Sequence, residues 1–258
     1  MMLEVSTDPR GIARVTLNRP QKHNAFDEAL IAALHAAFTS LAATPPRAVI
    51  LSGTGRSFCA GADADWMRRA AGWSEAENRA DAQKLSDMLA AIDGCPAPVI
   101  AIAHGAAFGG GAGLVACADL AVAHPETLFA FSEVRLGITP ATISPFVLAA
   151  IGPRAARRWF LTGERFDALE AQRIGLVHAV SETPEAVVDA WLEALLASAP
   201  GAVAEAKRLV RDLAGRPIDE GLRAETAARI AARRATGEAK EGMAAFLDKR
   251  PPAWVTRA

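Results

Sequence analysis

The chain lacks what several protein classes require. Its 258 residues include only three cysteines, Cys59, Cys95 and Cys117. An odd number without close pairing excludes a disulfide framework, a CxxC redox pair and a zinc ligand set, and it suits a reducing compartment. No charge of one sign prevails: 28 Lys and Arg face 29 Asp and Glu, a net charge of −1. Without a global field to hold a polyanion, nucleic acid is not an expected partner. The N-terminus, MMLEVSTDPRG, has no apolar core of a signal peptide, so a cytoplasmic protein is expected. A long uninterrupted hydrophobic run is also missing. Gly94 to Ala118 carries no Asp, Glu, Lys or Arg, but Pro96, Pro98, His104 and six glycines break it up. It reads as buried strand, turn and helix, with no membrane span implied.

What is present is a large apolar fraction, 51% of residues in 27.0 kDa, enough to bury a substantial core. LEVS and IARVTLN alternate on either side of the turn sequence TDPRG and predict a β-hairpin. From Asp27 to Ala43, Leu30, Ile31, Leu34, Phe38 and Leu41 recur at helical spacing, with Asn24 and Asp27 resembling a capping pair. Arg47–Gly53, Ala97–Gly105 and DLAVAH read as strands, and LFAFSEVRLG as a further strand and loop. A helix is expected from Ser74, with Glu77 three residues on. Beyond Pro140 the pattern turns helical, around 143–151, 153–162, 167–174, 185–198, 202–214, 219–235 and 238–249, and only Gly175–Val180 looks like a strand. This is an α/β core, 1–198, followed by a helical C-terminal region, 199–258, in one continuous fold. The second part is basic: 12 basic and 8 acidic side chains from residue 200 on, against 16 and 21 before it. A solvated arginine-rich surface accounts for that, as does one small anionic ligand.

Two segments share the order strand, glycine-rich turn, helix start: VILSG–TGRSFCAGAD–ADWM and VIAIAHG–AAFGGGAG–LVAC. Each can present free backbone N–H groups at a helix N-terminus. Facing each other, two such turns make an oxyanion hole, whose donors are worth about 3–4 kcal/mol each when charge develops on a carbonyl oxygen. Nucleotide motifs fail letter by letter. GxGxxG would need a third glycine at Leu114, and a P-loop would need lysine at Gly111. Tight helix–strand packing remains as the other reading of the glycines. There is no GxSxG and no HExxH, and the five histidines are scattered. The acid–base candidate is Glu133, alone in the uncharged run Leu128–Val134, where apolar neighbours raise a carboxyl pKa; a solvated strand-end glutamate is the bland reading.

The motifs LNRPQKHNAF, FCAGAD, HGAAFGGGAGLVACADLAVA, FSEVRLGITP, LTGERFDALEAQRIGLVHAV and EGMAAFLDKRPP stand in one order along nearly the whole chain. In this the sequence resembles the crotonase (enoyl-CoA hydratase/isomerase) superfamily, and within it GADADWM, FSEVRLGITPATISPFV and RRWFLTGERF look most like bacterial methylglutaconyl-CoA hydratases. The resemblance implies a spiral of ββα turns with C-terminal helices that mediate trimerisation, as a homotrimer or homohexamer. It implies that the N–H groups of Ala62 and Gly110 hold the thioester oxygen of an acyl-CoA and that Glu133 transfers the proton. The CoA adenine would lie near Ala60–Asp63 and its phosphates near Lys22, with Phe246 and Lys249 contributing from the C-terminal helix, even from a neighbouring subunit. Asp63 also reads as a helix N-cap, and Trp66 and Met67 as walls of the acyl pocket or plain core. CoA is part of the substrate; no separate cofactor and no metal is implied. The sequence departs from two-glutamate hydratases at one place, where Gly113 stands for the first glutamate. The expected activity is hydration of a 2-enoyl-CoA, in particular 3-methylglutaconyl-CoA. A Δ3,Δ2-enoyl-CoA isomerase and a general enoyl-CoA hydratase of fatty-acid oxidation are the alternatives. Arg135, two residues past Glu133, is the candidate cation for a carboxylated acyl chain, or a surface arginine.

Overall fold

The expected hairpin opens the chain, β1 (Leu3–Thr7) antiparallel to β2 (Ile12–Leu17). Asp8 closes the turn by accepting from the amides of Arg10 and Ile12 at 2.9 and 3.0 Å. From β2 the sheet runs parallel through β3 (Ala48–Gly53), β4 (Val99–Ala103), β6 (Leu120–Ala123) and β9 (Ala179–Val180). A smaller sheet sets β5 (Ala106–Phe108) parallel to β7 (Leu128–Ala130) and β7 antiparallel to β8 (Arg165–Asp167). Strands β3 and β4 are apolar on both faces, as a parallel sheet covered on both sides requires. The computed structural model describes residues 1–255, which fall into two compact units, Met1–Asp189 and the part from Ala190 onward.

In the first unit, each long strand leads into a short extended segment of the second layer and then into helix. Beta2 passes through Phe26 to α1 (Glu28–Ala43). Beta3 passes through Cys59 and Ala62 to α2 (Ala64–Ala70) and α3 (Glu75–Asp93). Beta4 passes through β5 to α4 (Gly110–Ala116), and β6 through β7 and a 3-10 turn (Glu133–Leu136) to α5 (Ser144–Thr162). Isolated parallel bridges Phe26↔Ala62 and Cys59↔Ala107 join the short segments side by side. This is the ββα spiral expected of the sequence, with its core formed by Leu30, Leu34, Phe38, Leu51, Met88, Val99 and Leu114 among others. Helix α3 starts on a complete Ser74/Glu77 capping box. The two helices expected at 143–151 and 153–162 are α5, bent at Gly152, whose φ of 70° is left-handed. Helix α6 (Ala168–Arg173) follows β8, and α7 (Pro184–Ala197) carries the chain across the boundary of the units.

In the second unit, α8 (Pro200–Leu213), α9 (Glu220–Arg234) and α10 (Gly237–Leu247) are capped and cross-linked by polar groups. Asp219 and Thr236 cap α9 and α10. Glu238 accepts from the first amides of α8, Gly201 and Ala202, at 3.0 and 3.1 Å and also pairs with Arg233. Arg250 holds Glu241 at 2.7 Å, and its guanidinium, helped by the Ala253 amide, keeps that carboxyl low, at about 2, against the opposing effect of burial. Two of the unit's arginines, Arg233 and Arg250, are thus engaged in ion pairs near helix ends.

Three details differ from the sequence expectation. Strands β5 and β8 lie outside it, β5 falling in an expected glycine-rich turn and β8 among expected helices; each has three residues and owes its extension to β7. The strand expected over Gly175–Val180 reduces to its last two residues. Asp27 caps α1, accepting from the Leu30 amide at 2.8 Å, but Asn24 has no part in that cap. Fully buried and left-handed (φ 55°), Asn24 accepts from the Arg19 amide at 2.8 Å and donates to the carbonyls of Thr54 and Ser57 at 2.9 and 2.8 Å. It ties the loop after β2 to the loop after β3. Replacing a buried amide that serves three backbone groups leaves them unsatisfied, at about 1–3 kcal/mol each in the worst case. Asn24→Ala should therefore lower the unfolding free energy in urea by about 2–4 kcal/mol; a loss under about 0.5 kcal/mol would show that this amide does not hold the two loops together.

Candidate active site

The bridge pairs Cys59 with Ala107, and three residues further along each segment stand Ala62 and Gly110, which line one cavity. Cys59 donates to Ala106 O at 3.0 Å, and Phe108 donates back to Cys59 O at 3.0 Å. One residue before each of these two positions stands a left-handed glycine, Gly61 (φ 93°) and Gly109 (φ 51°). A side chain at either would be strained, and its Cβ would come within 3.1 Å of Phe108 O or of Glu133 Oε1, respectively. Each glycine turns the next amide out of the sheet, and neither Ala62 N–H nor Gly110 N–H has an acceptor among the described residues. Gly110 is the first residue of α4, so its N–H is one of the amides a helix leaves unpaired and adds the favourable end of the helix dipole. The segment carrying Ala62 is clamped on its other side, where Phe26 N donates to Gly61 O at 2.7 Å and Asp63 N donates to Phe26 O at 2.8 Å. The packing reading of the glycines holds for Gly111, whose Cβ would sit 2.2 Å from Cys59 O, and for Gly110, whose Cβ would meet the Phe26 ring at 2.6 Å; Gly109 and Gly110 also border the cavity.

These amides open on a cavity of about 320 Å³, in the size range of small-molecule sites. Trp66 and Met67 of α2 form part of its wall, as expected, joined by Phe26, Leu85, Phe108 and Ile143. Among the described residues, the only carboxyl or hydroxyl side chains in the lining are Glu133, Ser132, Thr139 and Thr142. Glu133 opens the 3-10 turn after β7, and its Oε2 is enclosed without a hydrogen-bond partner among the described residues. Burial pushes its carboxyl above the ordinary glutamate range, with its own backbone amide pulling weakly the other way. A carboxyl whose ionisation is opposed by burial therefore lines the same cavity as two free amides. Cys59, behind the first amide, is inert, because burial pushes its thiol up to about 12.

Asp63 is buried, at 4% exposure, and serves as the N-cap of α2, accepting from Asp65 N at 2.8 Å. Burial works against its ionisation, but the Asp65 amide, Lys22 and Arg19 together hold the carboxyl below its usual range. Lys22 is exposed at the rim of this loop, 2.9 Å from Asp65 and 4.0 Å from Asp63. Ala60 lines the cavity. Phe246 and Lys249 belong to the second unit, and Phe246 is 82% exposed. Arg135 is exposed and lies against Gly163, outside the cavity lining, which corrects its candidacy as a cation inside the pocket.

Gly113 lies one turn into α4, and an added Cβ there would meet Ile143 Cγ2 at 2.5 Å. Ile143 thus occupies the space that a side chain at 113 would need. Two contributors escape the sequence reading. Arg19 joins the caps of α1 and α2, 2.9 Å from Asp27 and 3.2 Å from Asp63. The hydroxyl residues Ser132 and Thr142 line the cavity as well. Arg19 stands inside the motif LNRPQKHNAF, its only signal in the sequence; loop hydroxyls carry none. Among the described residues, no three His, Cys, Asp or Glu side chains assemble into a metal site.

The chain is similar to known proteins over nearly its whole length. Residues 7–257 match the profile of the family described as enoyl-CoA hydratase/isomerase. A relative from Thermus thermophilus, named as a putative enoyl-CoA hydratase, is 34% identical over 251 residues, 96% of this chain and 99% of its own. The crystal structure of an enoyl-CoA hydratase from Shewanella pealeana superposes with a TM-score of 0.96 at 38% identity, covering 98% of this chain and 96% of that one. An enoyl-CoA hydratase of Mycobacterium smegmatis gives 0.92 at 37% identity, covering 99% and 100%.

Enclosing a carboxyl without a partner has a cost that depends on pH. The raised pKa means that the folded state holds the Glu133 proton more tightly than the unfolded chain does. The wild-type protein is therefore relatively most stable below the unfolded value of about 4.5 and loses that advantage as pH rises through the folded value. Glu133→Gln should equal the wild type in urea unfolding at pH 4 and exceed it by a margin that grows as pH rises from about 4.5 through the folded value and then stays constant; a difference independent of pH would mean that the carboxyl is well solvated or paired.

Proposed function

The chain belongs to the enoyl-CoA hydratase/isomerase family, and from that membership we propose that it adds water across the C2–C3 double bond of a 2-enoyl-CoA thioester. The observation that carries this reading is the convergence of two acceptor-free amides and one enclosed carboxyl on a single apolar cavity. Ala62 and Gly110 donate to the thioester oxygen and stabilise the negative charge it gains when C3 is attacked. Glu133 takes a proton from the water as the C3–O bond forms, and the same proton then goes to C2, so that one carboxyl serves both halves of the reaction. The apolar walls exclude bulk water and strengthen the two amide hydrogen bonds.

The finer assignment, to 3-methylglutaconyl-CoA, rests on the motifs GADADWM and FSEVRLGITPATISPFV. The lining holds no Lys, Arg or His among the described residues, so the far carboxylate of that substrate would rely on the hydroxyls of Thr139 and Thr142 or extend past the lining. The rest of the substrate is read as the sequence suggests, with adenine by Ala60 and Asp63 and phosphates by Lys22. Phe246 and Lys249 are taken to act from a neighbouring subunit of a cytoplasmic homotrimer or homohexamer. One observation favours Δ3,Δ2-isomerisation as a second reading: the packing of Ile143 on Gly113 leaves a single carboxyl, and moving a proton between C4 and C2 needs no more than that.

Product mass separates the readings. Purified protein incubated with 3-methylglutaconyl-CoA, crotonyl-CoA and a 3-enoyl-CoA in turn should add one water to a 2-enoyl substrate, and fastest to 3-methylglutaconyl-CoA. Glu133→Gln should lower turnover by about 10²–10⁴-fold while still binding the ester. A mass-neutral shift of the 3-enoyl double bond, with neither 2-enoyl substrate hydrated, would replace hydration by isomerisation.

A further inference from the structure

Hydration with one carboxyl leaves a specific need unmet. Glu133 can accept one of the two protons of the attacking water, but a water held at a single point rotates freely and presents its lone pair to C3 only part of the time. A second acceptor must fix the other O–H. Among the side chains of the described residues, the lining offers three hydroxyls besides Glu133, and none of them makes a side-chain hydrogen bond to another described residue. Thr139 is exposed and shared with solvent. Ser132 precedes Glu133 directly and comes from the same short turn, so it adds no independent anchor. Thr142 is half-buried, as Ser132 is, but it comes from a different segment and directly precedes Ile143, whose side chain is pressed onto Gly113 of α4. Alpha4 also carries the Gly110 amide, so this packing fixes the backbone at 142 relative to the atom that polarises the thioester.

Resting on the hydration reading, we propose that the Thr142 hydroxyl is the second holder of the attacking water, a positioning contact that substitutes for a second carboxyl. The water donates one O–H to Glu133 and the other to Thr142 Oγ1, leaving a lone pair for C3. As the C3–O bond forms, the π electrons of C2=C3 move onto the thioester oxygen and Glu133 takes the first proton. The enolate then collapses, C2 takes that proton from Glu133, and the second proton stays on the product hydroxyl. Thr142 gains and loses nothing, so its loss should impair the alignment of water while leaving the binding of the ester intact.

The test uses Thr142→Val, which replaces the hydroxyl by a methyl group of similar size, and Thr142→Ser, which keeps it. Hydration is followed with whichever of crotonyl-CoA and 3-methylglutaconyl-CoA the wild type turns over, and affinity with butyryl-CoA, which has no double bond to hydrate. The expected result is a kcat lowered about 10–100-fold in Thr142→Val with KM and the butyryl-CoA Kd within about threefold of wild type, and kcat restored to within about threefold in Thr142→Ser. Unchanged kcat in Thr142→Val overturns the proposal. So does a parallel loss of kcat and butyryl-CoA affinity that serine fails to rescue, since that marks a packing role. If the wild type hydrates neither substrate, the hydration reading falls first and takes this proposal with it.

Discussion

The site depends on one backbone constraint, the in-register pairing of the Cys59 segment with β5. That pairing brings the segments carrying residues 62 and 110 to one cavity, although 48 positions separate them in the chain. Slipping it by one residue would shift one amide against the other and aim the two donors in different directions. The register is in turn held by the residues flanking it. Gly111 admits Cys59 O where a Cβ would stand only 2.2 Å away, and Phe26 clamps Gly61 and Asp63 from the far side. The donors are thus preorganised by sheet hydrogen bonds and close packing, before any ligand arrives. Such an arrangement needs no reorganisation when charge develops on the substrate.

Around this frame the charged groups divide into two kinds. Arg19 is nearly enclosed, yet both carboxylates it pairs with serve the fold, since Asp27 caps α1, Asp63 caps α2, and the arginine neutralises both. Burial of those groups is compensated by hydrogen bonds and opposite charge, and it stiffens the loop that carries Ala62. Glu133 is treated in the opposite way. It has burial without an ion pair and an oxygen without a donor among the described residues. A fold that satisfies these loop carboxylates and leaves Glu133 unsatisfied singles out this carboxyl from the others by its environment.

The long elements were legible in the sequence because each outlasts the period it follows. The apolar runs of β3 and β4 and the stripe Leu30–Leu34–Phe38 could not be read as loop. Beta5 and β8 were not legible, since three residues carry no period and only β7 makes them strands. Asn24 misled because its distance from Asp27 suits a cap, whereas its partners, Thr54 and Ser57, lie 30 or more residues on. The site was readable to an unusual extent for a site made partly of backbone. The repeated order of strand, glycine turn and helix marked the two turns, the family resemblance named Ala62 and Gly110 within them, and Glu133 stood out as a lone charge in an uncharged run. Thr142 was invisible for the converse reason: hydroxyl residues are common in loops, and what sets this one apart is the contact of its neighbour with a glycine 30 residues earlier.

That contact also explains why the number of carboxyls here is not decided at one position. A side chain at 113 and the side chain of Ile143 compete for one volume, with 2.5 Å between the would-be Cβ and Ile143 Cγ2. Ile143 is almost fully buried and directly precedes α5, so it cannot swing aside without opening the core at the start of that helix. Adding an acid at 113 alone would therefore overpack the wall, at about 1–3 kcal/mol, and would push against the helix that aims the Gly110 amide. Gly113, Ile143 and the helix start behind them form a single packing unit, and a second carboxyl could enter only with a smaller residue at 143. A site with one carboxyl and a hydroxyl-bearing wall is the alternative arrangement that this packing permits.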